Sequence, residues 1–269
     1  MKENNKSDGI KQYTFTASST PESVILLVHG LGEHAGRYAD WATLFNESGV
    51  EIRSFDLPGH GLSGGRRGVM PPFDTIYDLI DEFLSVINVE RPGTPVFIYG
   101  HSLGGCIVLD YLIKRKPSVR GAIVTSPWIR LTAAPSKIKV ASVKLLRHIL
   151  PDLTSSSGLN SGHLSHNEAV CKEYANDPLV HDRISLRLFT EAENAAADII
   201  KNAHTIELPL LIIHGRGDLI TSPAGSVEVA SSAPSALLKL WDDGYHELHN
   251  EPIREDHFSL IREWIETLI

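Results

Sequence analysis

The chain is poor in cysteine, with Cys106 and Cys171 far apart in its 269 residues. That excludes a disulfide framework and points to a reducing, cytoplasmic compartment. Long apolar runs are missing too: none approaches the ~20 residues of a membrane span. The opening stretch MKENNKSDGIKQ has no apolar core and is not a secretory signal. Positive charge is in deficit, 25 Lys and Arg against 33 Asp and Glu, which argues against nucleic-acid binding. No histidine or cysteine grouping has zinc spacing, so no metal is expected. Neither a G-x-x-x-x-G-K-[ST] loop nor a strand-linked G-x-G-x-x-G occurs, so no nucleotide cofactor is signalled. Repeats and low-complexity tracts are absent. What is there is 42% hydrophobic and 22% charged, enough for a real globular core. The length suits one large α/β domain with an insertion, or two ordinary domains.

Short apolar runs alternate with helical stretches. Residues 1–9 are polar and expected to be mobile. Ile10–Thr16, Val24–Val28, Val50–Phe55, Val96–Tyr99 and Arg120–Thr125 read as strands. Ala39–Ser48 and Ile76–Val89 read as helices, the second with Asp74 or Thr75 as cap. The rhythm then breaks over 128–206, where helical fragments surround a Ser/Gly-rich loop, Thr154–His163. It resumes with strands at Pro209–Ile213 and Leu237–Trp241 and a closing helix at Pro252–Leu268. The broken stretch reads as a helical cap over the sheet, leaving 1–127 and 207–269 as the core.

Val96–Tyr111 carries the chemistry. An apolar strand meets Gly100-His101-Ser102-Leu103-Gly104, a G-x-S-x-G pattern, and a helical run follows. Strand, sharp turn and helix form the context of a nucleophile elbow. Ser102 stands at the tip of the turn in a strained backbone conformation. Gly100 and Gly104 lack the Cβ atoms that would clash where strand and helix meet. The Leu103 N–H opens the helix and faces a developing oxyanion. His29-Gly30-Leu31-Gly32-Glu33-His34 ends an earlier strand, and its Leu31 N–H is the second candidate donor.

A serine needs a base, and the base needs an acid. Asp218 and His246 each follow a strand, giving the order Ser…Asp…His of α/β-hydrolases. His214, His249 and His257 compete as base; His246 is favoured because it directly follows the turn after the last strand. His60, in the tight connection Asp56–Ser63, reads as structural. Cys106 reads as a packed thiol.

These motifs resemble the monoacylglycerol lipase and lysophospholipase-like branch of the α/β-hydrolases over nearly the whole chain after Thr16. The resemblance is carried by His29–His34 with Arg37-Tyr38, Asp56–Ser63, Gly100–Gly105, Tyr174–Leu179, Gly215–Asp218 and Tyr245–Glu251. It implies an α/β-hydrolase fold with a mostly parallel sheet and a helical cap inserted after the sixth strand. It also implies a catalytic triad of Ser102, Asp218 and His246, with oxyanion donors at Leu31 and Leu103. Gly30 and Tyr174 are then placed at the substrate, Tyr174 near its glycerol end, and Glu33, Arg37 and His249 steady the oxyanion loop. The segment between Thr16 and Val24 is too short for a full N-terminal hairpin.

The function this implies is hydrolysis of a lipid ester, a monoacylglycerol, through an acyl-enzyme. A lysophospholipase or short-chain carboxylesterase is the alternative, and a non-catalytic binding module on the same scaffold a remote one. Lys137–Leu150 is basic and amphipathic. It either makes transient contact with an anionic membrane surface or turns its apolar side onto the site below, the commoner arrangement.

Overall fold

Continuous apolar runs become buried strands. The structure, a computed structural model, describes residues 9–16 and 20–269. The N-terminus expected to be mobile lies outside these except for Gly9, as does part of the Thr16–Val24 connection. In chain order the strands are β1 (Gln12–Phe15), β2 (Ser23–Val28), β3 (Val50–Phe55), β4 (Val96–His101), β5 (Gly121–Thr125), β6 (Thr154–Ser156), β7 (Arg183–Ser185), β8 (Leu210–Gly215) and β9 (Ala236–Trp241). Seven form one sheet in the order β1-β3-β2-β4-β5-β8-β9. β1 runs antiparallel on β3; every other pair is parallel. β2, β4, β5 and β8 are buried along their whole length, as expected of parallel strands covered on both faces.

The helices are α1 (Ala39–Glu47), α2 (Phe73–Glu90), α3 (Leu103–Arg115), α4 (Lys137–Leu146), α5 (Glu168–Asn176), α6 (Leu186–Asn202), α7 (Pro223–Ser232) and α8 (Arg254–Glu266). The period of two along each strand separates two cores. Val24, Leu26, Val28, Val96 and Ile98 pack with α2, α3 and α6. Ile25, Leu27, Phe97 and Tyr99 pack on the other face with Trp41, Phe45, Ile261 and Trp264 of α1 and α8.

Several expectations need correction. α2 begins earlier than Ile76, at Phe73, and neither Asp74 nor Thr75 caps it. Its N-cap is Pro72, and the Phe73 N–H donates to Glu191 Oε2 of α6 at 3.1 Å. The chain leaves the sheet after β5, the fifth strand in chain order and not a sixth, because β1 alone precedes β2 among the described residues. The segment 128–206, expected as the cap, differs along its length in what it packs against. Its last helix, α6, buries Leu188, Ala192, Ala195, Ala196 and Ile199 in the core beside α3. Within the Ser/Gly-rich stretch, β6 pairs with β7 as a small separate ribbon. α4 ends at Leu146, and of the apolar residues expected to turn inward Val143 lines a cavity. Ile138 (81%), Leu145 (71%) and Ile149 (75%) are exposed.

Candidate active site

The parallel register brings four loops to one edge of the sheet, beyond the carboxyl ends of β2, β4, β8 and β9. Open α/β sheets place ligand sites at that edge. At the end of β4, Ser102 adopts φ 56° and ψ −117°, and α3 starts at the next residue. A Cβ at Gly100 would lie 2.5 Å from the Gly104 carbonyl oxygen, and one at Gly104 would overlap the Val28 carbonyl oxygen. Only glycine permits so close a crossing of strand and helix.

The side chains of Ser102, His246 and Asp218 meet. The Ser102 hydroxyl donates to His246 Nε2 at 2.9 Å. His246 Nδ1–H donates to Asp218 Oδ2 at 2.7 Å, which fixes the tautomer that leaves Nε2 free to accept. Asp218 is itself held by four further donors. Its Oδ1 accepts the N–H groups of Ile220 (2.7 Å) and Thr221 (2.9 Å), and its Oδ2 lies 2.9 Å from Thr221 Oγ1 and 3.1 Å from His214 Nε2.

The electrostatics follow from this geometry. Burial works to raise the Asp218 carboxyl, but the charge of His246 and hydrogen bonds from His214 and His246 outweigh it. The carboxyl is held well below the usual carboxylate range. Burial works to lower His246, yet the Asp218 charge and hydrogen bond prevail and raise it above the ordinary imidazole value. A base of raised basicity, aimed at a serine hydroxyl, can take its proton as the oxygen attacks.

The loop after β2 is braced by buried ionic contacts. Glu33 Oε1 accepts the Gly30 N–H at 2.7 Å and the Tyr38 hydroxyl at 2.9 Å. This holds the peptide immediately before the Leu31 N–H. A Cβ at Gly30 would come within 3.1 Å of the Ser102 Cβ, so the loop approaches the serine as closely as glycine allows. Arg37 donates to Glu33 Oε2 at 2.6 Å and, as a fork, to both carboxylate oxygens of Glu247 at 2.7 and 2.8 Å. His29 adds a brace: its ring donates to the Gly30 carbonyl and accepts the Leu57 N–H at 2.9 Å. Leu103, the other candidate donor, opens α3, where first-turn N–H groups have no intrahelical partner.

Leu159, Leu164 and Tyr174 close over Ser102, leaving it 7% exposed. The Tyr174 ring lies 4.7 Å from the Arg37 guanidinium. Beside the elbow, where the Trp128 main-chain N–H donates to the Ser102 carbonyl, a cavity of about 210 Å³ is lined by Trp128, Leu131, Val143, Ile184 and Phe189 together with Ser155, Ser156, Ser157 and Ser185. On the other side of Tyr174 a polar groove of about 600 Å³ runs between His34–Asp40 and α5. Among the described residues no group of three or more His, Cys, Asp or Glu is arranged to hold a metal ion.

A profile of the Hydrolase_4 family, described as serine aminopeptidase, S33, matches residues 19–253. The chain belongs to this family. It is 31% identical over 238 residues to the monoglyceride lipase of Rattus norvegicus, covering 87% of this chain and 78% of that one. It is 36% identical over 260 residues to an uncharacterized abhydrolase domain-containing protein of Dictyostelium discoideum. That match covers 95% of this chain but 27% of the larger protein, so the chain spans about a quarter of that relative. The solved monoacylglycerol lipase of Paleococcus ferrophilus is 34% identical, with TM-score 0.86, covering 97% of this chain and 99% of that one. This Hydrolase_4 chain is therefore a serine hydrolase with the α/β-hydrolase fold.

The remaining histidines separate cleanly in the Hydrolase_4 chain. His249 stacks on Tyr38 at 4.7 Å between ring centres, and neither of its ring nitrogens has a hydrogen-bond partner. It is held there by packing alone, and burial holds it down to about 3. His257 stacks on Trp41, away from the serine. His60 packs against His29 and His181. His214, weighed as a rival base, contacts Asp218 instead. Cys106 is buried, with its thiol toward the Ala192 carbonyl. Three contributors had no role in the sequence reading. Glu247 supplies Arg37 with its fork partner; the nearest signal was its place beside His246. His101 packs 4.8 Å from the His246 ring and bonds Thr125 Oγ1. Thr221 gives Asp218 both an N–H and a hydroxyl, and a residue three positions along a loop carries no mark of that.

Proposed function

We propose that the protein hydrolyses monoacylglycerols to glycerol and a fatty acid through an acyl-enzyme on Ser102. The observation that carries this reading is the unbroken path from Ser102 Oγ through His246 to Asp218, in a chain that matches the Paleococcus lipase over nearly its full length. Ser102 Oγ attacks the ester carbonyl carbon while His246 Nε2 takes its proton. The carbonyl oxygen becomes an oxyanion held by the N–H groups of Leu31 and Leu103. The tetrahedral centre collapses, the C–O bond to glycerol breaks, and His246 returns the proton to the leaving alkoxide. Water, deprotonated by His246, attacks the acyl-serine, and the acid and free Ser102 are released. The cavity beside Trp128 suits the acyl chain, and Gly30 and Tyr174 face the glycerol end. The cap proper spans 128–185, since α6 packs with the core.

A substrate panel tests the reading. Long-chain monoacylglycerols should be turned over, and Ser102→Ala should lose several orders of magnitude in rate. Turnover of short p-nitrophenyl esters alone would favour a short-chain esterase, and of lysophospholipids alone a lysophospholipase. No labelling by a fluorophosphonate would favour a binding module. No helix among the described residues is long and apolar enough to cross a membrane. Peripheral contact is a finer proposal, resting on exposed Ile138, Leu145, Leu146, Ile149 and Leu150 beside Lys144. Leu145→Asp with Leu146→Asp should release the protein from anionic liposomes in a sedimentation assay. Unchanged sedimentation would dispose of that contact.

A further inference from the structure

Three non-glycine residues among those described have positive φ: Ser102, Lys116 and Ser126. Ser102 is the elbow. Lys116 closes α3 in the left-handed conformation usual for a helix end. Ser126, at φ 45°, caps no helix, and it precedes Pro127, which narrows its allowed backbone further. It is fully buried just beyond the end of β5. Strain at such a residue persists only where surrounding structure holds it, and it favours glycine. A serine there, where glycine would sit without strain, puts a hydroxyl at this point of the fold.

The contacts of Ser126 name its task. Its hydroxyl donates to the main-chain carbonyl of His246 at 2.8 Å. Its own carbonyl oxygen lies 3.1 Å from Thr221 Oγ1, the hydroxyl that also reaches Asp218 Oδ2. Its N–H donates to the Ile213 carbonyl of β8 at 2.9 Å. Its neighbour Thr125 accepts the Ser102 N–H at 3.0 Å, and Trp128 returns a bond to the Ser102 carbonyl at 3.0 Å. Residues 125–128 thus touch the loops carrying nucleophile, acid and base.

We propose that Ser126 is a positioning residue that fixes the His246 loop against the Asp218 loop, its hydroxyl setting the height of the imidazole over Ser102. The proposal rests on His246 acting as the base. The titratable groups facing that imidazole are Asp218, Glu247, Glu33 and His101. Asp218 holds the ring by a directed bond, so a loosened loop weakens that bond first.

The test uses Ser126→Ala and Ser126→Gly in the full chain, with kinetics on a p-nitrophenyl ester, a pH profile and thermal unfolding. Ser126→Ala loses the hydroxyl and keeps the strain; Ser126→Gly loses both. Both should lower kcat about tenfold with KM within about twofold, because misplacing a catalytic group by about 1 Å can cost about 10²-fold and a smaller shift costs less. The acid limb of kcat/KM should move to lower pH in both, as His246 loses part of its hold on Asp218. Ser126→Gly should unfold at or above the temperature of Ser126→Ala. A kcat within about twofold of the parent in Ser126→Gly would overturn the proposal, as would a rise in KM alone. Should Ser126→Ala fail to fold, Ser126→Gly decides. Ser102→Ala is measured alongside: if it stays active, the reading of the site itself fails, and with it this inference.

Discussion

Replacing Arg37 with methionine strips the cation from between two buried carboxylates. Arg37 bonds Glu33 and Glu247 within 2.8 Å, and both carboxylates are almost wholly buried. Removing one partner of a buried ion pair costs about 3–5 kcal/mol, because the charge left behind has neither water nor counterion. Here two like charges are left, so the upper part of that range applies. For a chain of this size that lowers Tm by on the order of 10 °C. The effect has a signed pH dependence. Burial works to raise the Glu247 carboxyl, but Arg37 outweighs it and holds the group well below its ordinary value of about 4.5. Such a depressed group stabilises the fold above about 4.5, and that contribution fades as pH falls toward the folded value. In Arg37→Met the burial of Glu247 is no longer offset, so its carboxylate is relieved by protonation as pH falls. The gap in Tm between parent and variant should be widest near neutrality and close toward pH 4.5. Differential scanning calorimetry across that interval reads it directly. Adding Glu247→Leu should recover part of the loss, since an apolar replacement removes a stranded charge. A Tm loss under about 2 °C, or one that stays constant with pH, would refute the reasoning.

The pH profile of kcat/KM gives a second check. His246 must be neutral to accept the serine proton and is raised above its ordinary 6.5, so the acid-side midpoint should lie above 6.5. His249, held down to about 3, should add no second step there. A midpoint at or below 6.5 would contradict the Asp218 coupling. Asp218→Asn should lower kcat about 10⁴-fold by releasing the tautomer, as in other serine hydrolases; a loss under about tenfold would speak against its role. Gly104→Ala places a methyl against the Val28 and His29 carbonyls, and denaturant titration should show a loss of at least about 3 kcal/mol. A fully stable variant would show that the crossing of strand and helix is looser than described.

The legible part of this protein was whatever depends on residues close together in the chain. The run before Ser102, the glycines around it and the helix after it are one local unit, so strand, turn and helix could be read from their order. The same holds for His29–His34 at the end of β2. Asp218 and His246 were found because a parallel sheet sends every strand's carboxyl end to one edge. The resemblance to monoacylglycerol lipases then narrowed the roles, and it also brought the count of six strands before the cap, where this sheet has five. The burial of α6 against α3 is a contact across the fold and is not legible in its sequence, which shows only one apolar face. Asp74 looked like a cap, but Glu191 answers the first N–H of α2 from another helix.

By itself, then, the sequence determined the strand–helix alternation, the elbow and the order of Ser102, Asp218 and His246 along the chain, since backbone sterics and hydrophobic period act over a few residues. Tertiary structure alone decided that Glu247 answers Arg37 and that His249 merely packs, on Tyr38. It also decided that a strained serine at 126 reaches the His246 carbonyl. Those choices turn on distances between loops more than eighty residues apart, and a desolvated charge or hydroxyl takes whichever partner the fold brings within 3 Å.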